Sequence, residues 1–101
     1  MRHWIYVDEH NTLIMKILDE GKPGAIYNIA PPENNYIPNI KLVRFILKQL
    51  ALPNRRNMIE HVIDRPGHDV SYYLEGTDFC RSKRKWQADM IKTVEWYQEN
   101  L

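Results

Sequence analysis

Arg65-Pro66-Gly67-His68-Asp69 sets a guanidinium, an imidazole and a carboxylate around one tight turn. Arginine presents a planar fork of donors that matches phosphate or carboxylate oxygens, proline stiffens the approach, and glycine lets backbone come close to a ligand. The segment therefore reads as a place to hold an anion. A surface turn closed by an Arg–Asp ion pair is the plainer alternative, and the residue types leave both open.

The other chemically capable residues form no comparable group. His3, His10, His61 and His68 are scattered, and no two have the spacing of a zinc site on one helix or across a knuckle. The four glycines, Gly21, Gly24, Gly67 and Gly76, cannot make the G-x-G-x-x-G turn of a dinucleotide fold, so nicotinamide binding by this chain alone has no support. Cys80 is the only cysteine, which rules out an intrachain disulfide and points to a reducing cytoplasm; a buried or incidental thiol is expected rather than a nucleophile. Three Trp and six Tyr suit core and rim packing better than stacking on nucleic-acid bases. The basic run Arg81 to Lys85 reads as a solvated helix face rather than a contact for an acidic partner. Nowhere do nucleophile, base and orienting group come together as a small complete enzyme would require.

Size and charge narrow the classes further. With 101 residues, 44% of them hydrophobic, the chain has material for one domain and one modest core. A net charge of +1 supplies no global field toward nucleic acid or an anionic membrane, so any anion binding must be local. The N-terminal residues lack the apolar core and small-residue cleavage site of a signal peptide, and no stretch suits a membrane span; a soluble, cytosolic protein is expected. A strand is expected almost at once, as though a longer chain had been cut there.

The elements that must position the turn follow from periodicity. Trp4 to Val7 reads as a strand or extended entry, with Asp8 capping a helix whose Leu13, Ile14, Ile17 and Leu18 form its packing face and Gly21 its end. After a Pro23-Gly24 turn, Ala25 to Ile29 reads as a buried strand closed by Pro31-Pro32. Asn39 is the expected cap of a second helix with Ile40, Val43, Ile46, Leu47 and Leu50 in one stripe, stopped by Pro53. Residues 54–57 form a polar connection into a strand over Met58 to Ile63, which delivers the Asp64–Asp69 loop. Thr77 caps a short helical turn through Arg84, and Ala88 to Asn100 forms a last helix with Ile91, Val94, Tyr97 and Leu101 on one side. The expected fold is α+β: short strands with three to four helices and no Rossmann domain.

Four segments, in order, resemble the C-terminal part of dTDP-glucose 4,6-dehydratases, of the extended short-chain dehydrogenase/reductase superfamily. Arg2 to His10 is similar to the family's R-D-W-x-Y-V-x-D-H, Gly21 to Ile29 to G-K-x-G-E-x-Y-N-I, Asp64 to Asp69 to D-R-P-G-H-D, and Lys92 to Asn100 to K-T-V-E-W-Y-x-x-N. The resemblance implies a substrate domain that binds the nucleoside diphosphate of a dTDP-sugar. Arg2 and Arg65 would contact the diphosphate, while Asn39 and His68 would frame the nucleotide. NAD, the Tyr-x-x-x-Lys pair and the eliminating acid and base would lie in a Rossmann half that this sequence lacks, so the chain alone is not expected to catalyse.

The departures gather near the same residues. His3 replaces an Asp, Ala30-Pro31 stands where Gly-Gly is usual, and Val70-Ser71-Tyr72-Tyr73-Leu74-Glu75 replaces R-R-Y-A-I-D. Two basic residues are thereby lost, which points to weaker anion binding, and the Pro-Pro loop keeps backbone from a ligand. Only Gln87 to Ile91 separates Trp86 from Lys92, a short link that lets the terminal helix dock differently or pair with another chain. The rival reading is accordingly an interaction or oligomerisation module. The partners in view are a dTDP-sugar or dTDP, a separate Rossmann domain, or a second copy of the chain.

Overall fold

The computed structural model describes residues 1–53 and 55–101. It is an α+β fold of three helices and one two-stranded antiparallel sheet. Strand β1 is Arg2–His3, and it pairs with β2, Tyr36–Ile37, in the register Arg2 to Ile37 and His3 to Tyr36. Sheet pairing thus lies ahead of Trp4, and the expected strand or extended entry at Trp4 to Val7 is an unpaired approach to the helix, with Tyr6 extended at φ −71° and ψ 137°. The Trp4 N–H still donates to the Asn35 carbonyl at 3.0 Å, but Val7 is already helical.

Helix α1 spans Val7–Glu20, beginning ahead of the anticipated Asp8 cap; Asp8 and Glu9 instead occupy its first turn, where carboxylates suit the positive end of the helix dipole. Gly21 ends it as expected, donating its N–H to the Ile17 carbonyl at 2.8 Å. A Cβ at this position would stand 2.4 Å from that oxygen, so glycine is required by the close approach. Only Leu13 of the predicted face is fully buried; Ile14 and Leu18 are exposed.

Helix α2, Asn39–Gln49, starts directly after Pro38, which takes the capping position and pushes Asn39 into the first turn, where its side chain caps nothing. Its buried residue is Leu42, backed by Phe45 and Ile46, so the packing stripe is rotated from the one read in the sequence and Val43 faces out. The helix stops four residues before Pro53, and Ala51 turns the chain with a left-handed φ of 53°. Asn54, in the expected polar connection, lies outside the described residues; Arg55–Met58 makes a single 3₁₀ turn.

Helix α3, Trp86–Asn100, starts two residues earlier than anticipated and packs across α2. Trp86, Leu42 and Ile37 form the main core cluster, with the Trp86 and Phe45 rings edge to face at 4.7 Å. Each such burial contributes roughly 1.5–3 kcal/mol. Val94 is buried as expected, whereas Ile91, Tyr97 and Leu101 are exposed.

Two expected strands do not form. Residues 25–29 run extended beside 76–82, exchanging single bonds such as Thr77 N–H to the Asn28 carbonyl at 2.9 Å, and Ala30 makes one parallel bridge to Arg81. Ile26 is 88% exposed. Among the described residues, 59–63 have no sheet partner either, and Ile63 is 97% exposed. Both have strand composition, but neither shares a continuous hydrogen-bonded ladder with a neighbouring edge among the described residues.

The turn expected from Thr77 through Arg84 is shorter, Asp78–Cys80, and the Thr77 hydroxyl accepts from the Asn28 N–H rather than capping it. The basic run is not a solvated helix face: Arg81 pairs with Glu75 and Asp78, Ser82 is buried, and Arg84 grips Asp89 with two nitrogens. Cys80 is fully buried, as expected. Among the described residues no helix is long and apolar enough to cross a membrane.

Candidate functional site

Pro66 and Gly67 form the turn the sequence required, Gly67 at φ 74° and the His68 N–H donating to the Arg65 carbonyl at 3.2 Å. The anticipated Arg–Asp ion pair is absent from this turn among the described residues; the Asp64 carboxylate turns to His68 instead. His68 Nδ1 lies 2.9 Å from Asp64 Oδ1, and His68 Nε2 lies 2.7 Å from Arg2 Nη2. A guanidinium can only donate, so Nε2 accepts, and the remaining ring proton sits on Nδ1 facing Asp64. With both nitrogens engaged, His68 aligns Arg2 rather than serving as a free base.

Arg2 is held from several sides. Its Nη2 also donates to the Asp69 carbonyl at 3.0 Å, and its Nη1 donates to the Met1 carbonyl at 2.9 Å and the Val70 carbonyl at 3.4 Å. The Tyr72 ring lies beneath it, 4.4 Å from the guanidinium carbon to the ring centre. Asp69 raises the Tyr72 phenol above its ordinary value, first as hydrogen-bond acceptor and then as a charge, and Arg2 opposes the shift. The backbone closes the seam: the N-terminal ammonium donates to the Val70 carbonyl at 2.7 Å and the Tyr72 N–H to the Met1 carbonyl at 3.1 Å.

Arg2, His3, Trp4, Asn39, Tyr72, Tyr73 and Leu74 line one open groove of about 570 Å³, a volume in the range of small-ligand sites. Of the four residues singled out in the sequence, Arg2 and Asn39 therefore share a groove and His68 touches Arg2. Arg65 stands apart: its N–H donates to Asp64 Oδ1 at 3.0 Å, and its exposed side chain is not among the groove's walls.

Sequence reasoning missed the aromatic wall. His3 and Tyr73 stack at 5.3 Å with planes 11° apart, and Tyr36 meets both rings edge-on. His3 and Tyr73 are two of the departures from the family pattern, but nothing in the sequence pairs them. His3 Nε2 is 3.0 Å from the Pro32 carbonyl and the Tyr73 hydroxyl donates to Glu33 Oε1 at 3.2 Å. Desolvation, followed by the Glu75 and Glu33 charges, raises the Tyr73 phenol, which keeps it a donor. Ala30, where a flexible Gly-Gly loop was the comparison, packs against Gly76 away from this groove.

The groove thus offers one fixed cation at its rim and several ring faces, a combination suited to recognising a planar, anionic ligand. The fold and the site define a small α+β domain with an open groove walled by Arg2, Asn39 and aromatic rings. No family model matches the chain. It is 35% identical over 111 residues to "Probable dTDP-glucose 4,6-dehydratase" of Sinorhizobium fredii, a match covering 99% of this chain and 31% of that protein. It is 36% identical over 104 residues to dTDP-glucose 4,6-dehydratase of Streptomyces niveus, covering 98% and 30% respectively. It is 34% identical over 110 residues to dTDP-glucose 4,6-dehydratase 1 of Escherichia coli K12, covering 99% and 30%. Along its whole length the chain matches the C-terminal part of dTDP-glucose 4,6-dehydratases, and it spans 30–31% of the length of these curated relatives.

Proposed function

We propose that the chain is the nucleotide-sugar-binding part of a dTDP-glucose 4,6-dehydratase-like protein, working in the cytoplasm with a Rossmann domain that supplies NAD and the catalytic groups. The observation that carries this reading is the meeting of Arg2 and Asn39 in one groove with His68 fastened to Arg2. In this reading Arg2 contacts the diphosphate of dTDP or a dTDP-sugar, the exposed Arg65 side chain reaches the same diphosphate, Asn39 and the ring faces frame the nucleotide, and His68 acts by aligning Arg2. The residues do not fit NAD: the one sheet among the described residues is a two-stranded antiparallel pair, and no glycine-rich strand-to-helix turn exists to seat a pyrophosphate. No catalytic step is therefore assigned to this chain.

Calorimetric titration with dTDP tests the proposal. Saturable binding is expected, with Arg65→Ala weakening it about tenfold, as loss of one charge-assisted contact would. Absence of binding by the parent, or identical affinity in Arg65→Ala, discards it.

A second reading, a docking or self-association module, draws on a different observation. The radius of gyration is 16.4 Å, against about 13 Å for a compact domain of this length. An apolar groove of about 540 Å³ also opens between α2 and α3, lined by residues including Trp4, Leu42, Ile46, Val94 and Leu101. Light scattering that finds a strict monomer as concentration rises discards self-association.

A further inference from the structure

Between residues 35 and 59 the sequence holds five Lys and Arg and no Asp or Glu, in a chain whose totals are 14 and 13. The remainder is net acidic, so positive charge is concentrated in this one stretch. Folding concentrates it again. Arg44 and Lys48 lie one turn apart on the same side of α2. Beyond Ala51, whose left-handed φ of 53° redirects the chain, Arg56, Ile59 and His61 come back to face them. Together with Leu47 these residues line an open groove of about 630 Å³.

No carboxylate lines that groove, and no ion pair among the described residues engages Arg44, Lys48 or Arg56. Cations gathered without a counter-charge repel one another, and an anion among them relieves that repulsion. We infer that this groove is a second anion site, taking a small ligand that carries a diphosphate or an equivalent cluster of phosphate charges. Leu47 and Ile59 give it an apolar floor for the uncharged part of such a ligand. A long polyanion fits poorly, because it would run off the groove onto the net acidic remainder of the molecule. The site is distinct from the Arg2 groove: it shares no wall with it, and Asn39 and Lys48 are separated by roughly 13 Å along α2.

Inorganic pyrophosphate is the probe, titrated into the full chain at about 0.1 M salt, where exposed charges already feel screening. Amide NMR shifts and calorimetry are read together. The expected result is saturable binding with shifts centred on residues 44–48 and 56–61. Affinity at these residues falls at least about tenfold in Arg44→Gln/Lys48→Gln and holds in Lys92→Gln, an exposed lysine that lines neither groove. Both replaced side chains are exposed, and an unchanged circular dichroism spectrum checks that the double variant folds. Shifts confined to residues 65–72, equal affinity in the double variant, or tighter binding of a ten-nucleotide single strand than of pyrophosphate overturns the inference.

Discussion

Asn35 and His68 are both polar side chains at which distant stretches of chain meet, and they do so in opposite ways. Asn35 is 2% exposed, and every one of its side-chain bonds goes to backbone: its Nδ2 donates to the Trp4 carbonyl at 3.1 Å and the Arg84 carbonyl at 2.9 Å, and its Oδ1 accepts the Trp86 N–H at 3.0 Å. His68 is half-buried and joins two side chains, Arg2 and Asp64, at a rim open to water. Breaking the first arrangement strands groups that water cannot reach. Breaking the second lets water replace each partner at once. A buried knot of this kind fixes where β1, β2 and the start of α3 meet, whereas a solvated chain of contacts can exchange partners with a ligand at little cost.

The largest effect expected from this contrast is at Asn35. Asn35→Ala leaves the Trp86 N–H and two carbonyls unsatisfied and is expected to cost about 2–4 kcal/mol, read from the denaturant midpoint. A loss below about 1 kcal/mol would mean that water reaches the knot and that the two regions differ less than their burial suggests. Asp89→Ala sits between the extremes. It removes a buried carboxylate from Arg84, whose own half-exposed guanidinium rehydrates, so a loss of about 1–2 kcal/mol is expected in the same assay. His68→Ala should move stability by no more than about 0.5 kcal/mol. Its effect belongs to binding: with Arg2 released from one of its anchors, dTDP affinity should fall several-fold by calorimetry. A large stability loss at His68 with unchanged affinity would reverse the assignment of the two regions.

The helices were legible because each is a continuous stretch whose signals are local: apolar residues at helical spacing, Gly21 at the end of one, and Pro53 a few residues beyond another. Their faces were less so. Leu42 and Phe45 are buried because Trp86 and Ile37 lie opposite, information that the helix's own pattern does not contain. The strands were misread for a related reason. Residues 25–29 and 59–63 have the right side chains, but a strand is a ladder shared with a neighbouring edge: 25–29 exchange only isolated bonds with 76–82, and 59–63 pair with no strand among the described residues. The polar pair Arg2–His3 does become a strand, because the Asn35 knot brings Tyr36–Ile37 alongside. For the candidate site, the resemblance singled out Arg2, Asn39, Arg65 and His68; the fold gathers Arg2, Asn39 and His68 in or beside one groove and leaves Arg65 apart. The Tyr72 ring under Arg2 and the His3–Tyr73 stack depend on contacts between segments about seventy residues apart, which no local pattern encodes.

One buried atom gives the molecule an internal clock. Cys80, at 0% exposure, directs its thiol toward the Asn28 carbonyl at 3.4 Å, inside the seam where residues 28–30 lie against 76–82. Because it is the single cysteine, a thiol reagent has no competing target, and it can react only when that seam parts. The rate of labelling therefore measures how often two segments held together by isolated hydrogen bonds, rather than by a sheet, come undone.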